Sequence, residues 1–174
     1  MMARSEEGEE RAMADLLILT DGAAAPGGHR YADLENPADV WTFVENPHIE
    51  NPQAPAPAGA VPYAFLASLG DVSRPAPFLY TVELDIAAAD LPEIFRWYEE
   101  EHLPMLTACP GCIGGTRYRR LDGGSPNLLA AYRFERPEAN RTPEWIAARS
   151  TPWTERVRPL FRSSRRFVRR LLPG

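Results

Sequence analysis

Leu91, Ile94, Phe95, Tyr98 and His102 recur at helical spacing, so they share one face of a predicted helix. That face is apolar and belongs against a sheet. It places an imidazole at the end of a buried stripe, with the Tyr98 phenol one turn before it. Near neutral pH an imidazole is a general acid or base. Such a group suits abstraction of a proton next to a carbonyl, the step that opens aldol closure, dehydration or isomerisation. A structural histidine at a helix end, bonded to a backbone carbonyl and favoured by the helix dipole, has the same signature. Farther along, Arg117 and Tyr118 are neighbours in a predicted strand and point to opposite faces. A buried arginine needs an anionic or carbonyl partner. Either Arg117 or Tyr118 polarises a substrate oxygen, or Arg117 pairs across the sheet with Glu83 or Glu135. Tyr80, Tyr132, Trp145 and Trp153 complete an aromatic set, which is ordinary core or the lining of a pocket for a planar ligand.

The elements that hold these residues are legible in the second half. Phe78, Tyr80, Val82, Leu84 and Ile86 alternate with Leu79, Thr81, Glu83 and Asp85, a strand with one strongly apolar face. Asp90 is the expected N-cap of the helix, with Pro92 in its first turn and Glu93 at the capping-box position. The helix is predicted to run to about Leu103, with Pro104 and Pro110-Gly111 marking its end. Residues 112–121 and 127–135 read as strands joined by the Asp122-Gly123-Gly124-Ser125 turn. A short helix over 142–149 and a last strand over 161–171 follow. The order is β-α-β-β-α-β, the split-βαβ, ferredoxin-like plan, over residues 77–174.

The first 50 residues carry a partial repeat of that module. Gly-Gly-x-Arg-Tyr-x-x-Leu runs over 27–34 and again over 114–121, an offset of 114 − 27 = 87. Extended backwards, the alignment puts residues 15–20 on 102–107, with Asp15 where the second copy has His102. Extended forwards, 39–47 falls near the strand that ends at Pro137. The expected first copy is therefore helix, strand, strand. It cannot bury its own sheet face and should pair with the second copy as a pseudo-dimer within one chain. Between the copies, residues 51–76 read as a proline-rich linker, with an apolar island over 63–69 that suits one or two helical turns.

Bulk properties narrow the function classes. The chain has 174 residues, 44% of them hydrophobic, and a net charge of −5. That supports a packed core and argues against nucleic acid as a partner. No apolar run is long enough to span a bilayer, and residues 1–10 lack the features of a secretory signal, so a cytoplasmic protein is expected. The charge is uneven, with four glutamates at the start and seven arginines from Arg156 to Arg170. Two solvated faces account for this, and the alternative is a basic arm for phosphate or nucleic acid. Cys109-Pro110-Gly111-Cys112 follows a helix rather than opening one and has no second cysteine pair, so it reads as a turn and not a redox or metal motif. His29 and His48 have no metal-ligand spacing to His102. Phosphate-loop, serine-elbow and zinc-helix motifs are missing from the sequence.

The run from Trp97 to Pro104, then Pro110-Gly111 and Arg117-Tyr118, with Tyr132, Thr151-Pro152-Trp153 and the arginine-rich end, resembles the EthD-like branch of the dimeric α/β-barrel superfamily. The resemblance covers about the last 95 residues. It implies an α+β, ferredoxin-like dimeric α/β barrel, with antiparallel sheets, helices on the outer faces and a cavity between them. Relatives of that kind include polyketide cyclases, dehydratases or decarboxylases, muconolactone isomerases, cofactor-free monooxygenases and haem enzymes. The expected activity is cofactor-independent acid/base chemistry of the lyase, cyclase or isomerase type on a small hydrophobic, polyketide-like or aromatic molecule. His102, Tyr98 and Arg117 are the expected catalytic residues. Tyr118, Tyr80, Tyr132, Trp97 and Trp153 are expected to bind substrate. The alternatives are a monooxygenase of the same fold, with or without haem on His102, and a non-catalytic binding or assembly module. The internal repeat makes an external homodimer possible but not required.

Overall fold

A computed structural model of the chain describes residues 14–47 and 56–174. The acidic start, His48 and the first part of the proline-rich stretch lie outside these. The strands are β1 (Leu16–Leu19), β2 (His29–Asp33), β3 (Val40–Glu45), β4 (Val61–Gly70), β5 (Phe78–Ile86), β6 (Cys112–Arg120), β7 (Leu128–Phe134) and β8 (Phe161–Leu171). They close into one antiparallel barrel in the order β1-β3-β2-β8-β5-β7-β6-β4. The second half supplies β8-β5-β7-β6, which is its fourth, first, third and second strands, the ferredoxin-like order. The first half supplies β4-β1-β3-β2, the same order again. The β2–β8 and β4–β6 pairs weld the two sheets and leave neither with a free edge.

This arrangement corrects three expectations. Residues 15–20 do not end a helix: Leu16–Leu19 is a strand with every residue buried, the usual fate of a short, continuous apolar run at a barrel core. The Gly-Gly-x-Arg-Tyr motifs do fall on corresponding strands, β2 and β6, but residues 20–28 join β1 to β2 without a helix where 87–111 carry one in the second half. A fixed offset therefore fails before β2. Second, the island within the supposed linker is β4, not helical turns. Pro62 is tolerated next to the strand's first residue, and Tyr63 turns into the core while Phe65 stays exposed. Third, the helix does not stop at Leu103. It runs as α1 (Leu91–Trp97), a π-helical turn (Tyr98–His102) and α2 (Leu103–Thr107). Pro104 has no N–H for the Glu100 carbonyl, and the Leu103 amide reaches back to the Tyr98 carbonyl, five residues away. The wider turn absorbs the proline, and the helix continues.

Two further helices, α3 (Pro143–Ala148) and α4 (Pro152–Val157), start at Thr142 and Thr151, whose hydroxyls accept the Trp145 and Thr154 amides. Asp90 makes no such cap, and Glu93 accepts instead from the Trp153 indole at 2.8 Å. Leu16, Ile18, Tyr31, Phe43, Leu79, Tyr118 and neighbours fill the barrel interior. The second core lies between the outer face of β5-β7 and the helices, built on Tyr80, Val82, Leu84, Ile94, Trp97, Tyr98, Tyr132 and Trp145. Among the described residues no helix is long and apolar enough to cross a membrane.

Candidate functional site

The site lies in this second core. Strand alternation sends Tyr80, Val82 and Leu84 toward the helices, along with Tyr132 from β7. The extra residue of the π turn lets the adjacent Trp97 and Tyr98, and also His102, all turn inward. They enclose a chamber of about 40 Å³ with Trp145 and Phe161. Trp145 meets Tyr80, Tyr132 and Phe134 edge-on, at 5.8, 5.3 and 5.1 Å. A volume of that size admits one or two waters.

His102 lies face to face with Trp97 at 4.0 Å and edge-on to Tyr98 at 5.2 Å. The Trp97 indole donates to the Thr154 hydroxyl at 3.3 Å; that hydroxyl is 3.0 Å from Thr151, which bonds Glu101. Glu101 thus anchors α4 to the π turn and fixes the surface on which His102 stacks. The His102 Nδ1 atom is buried with no hydrogen-bond partner among the described residues, and so is the Tyr132 hydroxyl. Burial, then the positive charges of Arg117 and Arg166, push the imidazole pKa down to about 3. Burial raises the Tyr98 pKa to about 12 and lifts that of Tyr132 well above its usual value. At neutral pH the chamber holds an uncharged imidazole and protonated phenols.

Arg117 projects from β6 to the helix side, beneath Tyr98. Its guanidinium lies 4.0 Å from the centre of the Tyr98 ring and 5.4 Å from that of Phe95. Only 2% of the residue is exposed, and neither Nη atom has a hydrogen-bond partner among the described residues. The expected alternative of an ion pair with Glu83 is not what the structure shows: Glu83 faces the barrel interior, where it bonds Arg165 at 3.1 Å. The guanidinium does not deprotonate, so a standing positive charge sits behind the aromatic wall.

Of the residues singled out in the sequence, the fold brings His102, Tyr98, Trp97, Tyr80 and Tyr132 to the chamber, with Arg117 behind them. Tyr118 points into the barrel interior, and Trp153 lies outside, beside Arg96 and Arg156. The sequence reading missed the chamber's rim. Arg149 after α3, Arg158 after α4 and Arg166 on β8 converge there. The alternation of β8, with Arg166 opposite Val82, was the available signal. It also missed a cleft of about 430 Å³ next to the chamber, between the 33–35 turn of the first half, the 137–141 segment and β8. Tyr80 and Arg166 line both spaces, and burial raises the Tyr80 pKa while the positive charge of Arg166 opposes the rise.

The depressed histidine has a measurable consequence. The unfolded chain binds a proton near pH 6.5 that the folded chain refuses until about pH 3. Stability is therefore expected to fall as the pH drops through that window and to show no His102 contribution above it. An NMR titration should find the His102 ring neutral at pH 5, with His102→Gln removing part of the acid destabilisation. A ring that protonates near pH 6.5 contradicts the burial described.

No protein-family model matches the chain, and no curated protein matches it. Solved structures do match. An uncharacterised ferredoxin-fold protein from Listeria monocytogenes, related to antibiotic biosynthesis monooxygenases, superposes with a TM-score of 0.63 at 8% identity, over 91% of this chain and 94% of that one. A haem-degrading enzyme from the same organism gives 0.58 at 9%, over 89% and 97%. An anthrone oxidase-like protein gives 0.59 at 10%, over 97% and 83%. At such identities the likeness is one of fold: the chain is a ferredoxin-like α/β barrel of the kind seen in antibiotic-biosynthesis-monooxygenase-like proteins.

Proposed function

We propose that the chain is a monooxygenase-type enzyme that oxidises a small aromatic or polyketide-like molecule with dioxygen. One observation carries this reading. Two unmet polar atoms, His102 Nδ1 and the Tyr132 hydroxyl, face an aromatic chamber backed by an unpaired buried guanidinium. A protonated phenol and a fixed cation suit an oxyanion. The reacting group would be a CH₂ activated by a carbonyl that is conjugated to it through an aromatic ring, as in anthrone. Loss of its proton gives an enolate whose oxygen the Tyr132 hydroxyl meets while Arg117 supplies the field. Burial and two arginines oppose a free imidazolium, so His102 takes the proton only with the enolate formed beside it. Dioxygen then reacts at the carbanionic carbon. One oxygen atom stays as a new carbonyl, and the other leaves as water with both hydrogens. The EthD-like pattern from Trp97 to Pro104 and the anthrone oxidase-like neighbour support this class.

Haem, which the haem-degrading neighbour suggests, does not fit these residues. A haem iron needs a ligand nitrogen that opens onto a wide pocket, and His102 is buried with its ring stacked on Trp97 at 4.0 Å and edge-on to Tyr98 at 5.2 Å.

The test is oxygen uptake with anthrone as substrate. We expect one dioxygen consumed per anthrone, faster than in buffer, with a fall of at least about 10-fold in Tyr132→Phe. Uptake no faster than in buffer sinks the reading, as does an unchanged Tyr132→Phe rate. Lyase or isomerase chemistry draws on the same enolate, and it is distinguished by substrate loss without oxygen uptake.

A further inference from the structure

The rim of the chamber has a charge pattern that the oxygenase reading does not require. Its lining includes Arg149, Arg158 and Arg166, and neither aspartate nor glutamate. The three arginines come from separate elements, so no single helix face or charged run brings them together. Arg158 is held by Glu155 at 2.8 Å. Arg149 and Arg166 form no ion pair among the described residues. With Arg117 buried beneath, cations stand at both ends of an aromatic-walled space. Gathering like charges there costs self-repulsion, and a cleft of one sign walled by apolar groups concentrates counter-ions.

We propose that the site takes its substrate as a planar aromatic acid, whose carboxylate is bound by Arg149 and Arg166 while its ring lies against Tyr80. The geometry of the wall supports this. The chamber of about 40 Å³ is too small for a ring, and the neighbouring cleft of about 430 Å³ is of ligand size. Tyr80 and Arg166 are the residues that line both spaces and stand between them. Arg166 is an exposed, long side chain. Turning its guanidinium to a carboxylate gives a charge-assisted bond, the stronger kind, and joins the cleft to the chamber. Asp33, Glu35 and Glu138 line the cleft along with Arg141 and Arg166, whereas the chamber side has arginines and no carboxylate, so the acid group is drawn to the Arg149–Arg166 side.

This inference deepens the oxygenase reading by naming the charge of its substrate, and its test needs no turnover. Salicylate and its neutral isostere salicylamide are titrated into the full chain by calorimetry without dioxygen. We expect salicylate to bind at least 10-fold tighter than salicylamide, with an affinity that falls as salt rises. The pair Arg149→Gln/Arg166→Gln should lose that preference, and Arg149→Gln alone should lose part of it. Arg119→Gln, an exposed charge elsewhere on β6, should keep it. Equal binding of acid and amide overturns the proposal. So does an unchanged preference in the folded double variant, or inorganic phosphate competing as well as salicylate, which would mark a generic anion site. Binding of the acid without any oxygen uptake would sink the oxygenase reading and leave this one. Uptake with anthrone but no preference for the acid would do the reverse.

Discussion

Replacing Arg117 with methionine should cut oxygen uptake about 10-fold and leave the protein as stable as before, or more so. Both halves follow from the same geometry. The guanidinium is buried, carries a permanent charge and has no carboxylate partner. Its desolvation is offset only by the faces of Tyr98 and Phe95. An apolar side chain of similar length removes that cost, and such exchanges of buried charge are often neutral or stabilising by about 1–4 kcal/mol. The charge is also what favours an anion in the chamber, and because it acts from behind the Tyr98 ring its loss should cost less than the about 100- to 1,000-fold of a donor that touches the oxyanion. Arg117 touches Tyr98 rather than the chamber, so it acts as a positioning and electrostatic residue. A pH profile separates that role from a packing one. Without Arg117, the His102 pKa should rise from its depressed value, because one of the charges holding it down is gone. A variant that is unstable and yet active per folded molecule would make Arg117 a packing residue and remove it from the site.

Arg169 should behave in the opposite way. It is fully buried, bonds the Asp39 carboxylate at 3.1 Å and lies 4.0 Å from the centre of Trp41 and 4.8 Å from that of Phe167. Asp39 and Trp41 belong to the first half and Arg169 to the second, so this side chain fastens the β2–β8 seam. Arg169→Ala removes a paired cation, opens a void between two rings and strands a carboxylate. Breaking a buried pair costs about 3–5 kcal/mol, and the lower end applies because Asp39 keeps 28% of its side chain exposed. Urea denaturation should show the loss as a lower midpoint with the slope little changed. Arg169→Lys should recover only part of it, because an ammonium lacks the planar fork that stacks on Trp41. A variant within about 1 kcal/mol of the parent would show that the seam is held elsewhere. The Arg133–Glu45 pair, at 2.6 Å and also between the halves, would be the next to test.

Local patterns decided much of this molecule. The period-2 run of β5 and the helical stripe from Leu91 to His102 each have one strongly apolar face. Burying both gives a single answer, helix on sheet with His102 and Tyr98 inside. The Gly-Gly-x-Arg-Tyr repeat marked β2 and β6 as counterparts because the same strand must twist and pair in the same way in both halves. What the sequence alone left open depends on residues brought together from far apart. β1 and β4 are too short or too rich in proline to declare themselves; they become strands because the edges of β3 and β6 need partners. The π turn arises from a proline inside a helix that tertiary packing keeps going. Arg117 lies unpaired because it faces the helices while Glu83 faces the barrel interior, where Arg165 of the neighbouring strand bonds it. The arginine rim exists only where the ends of α3 and α4 meet the outer face of β8, and there a run that reads along the chain as a solvated basic tail becomes the mouth of a pocket.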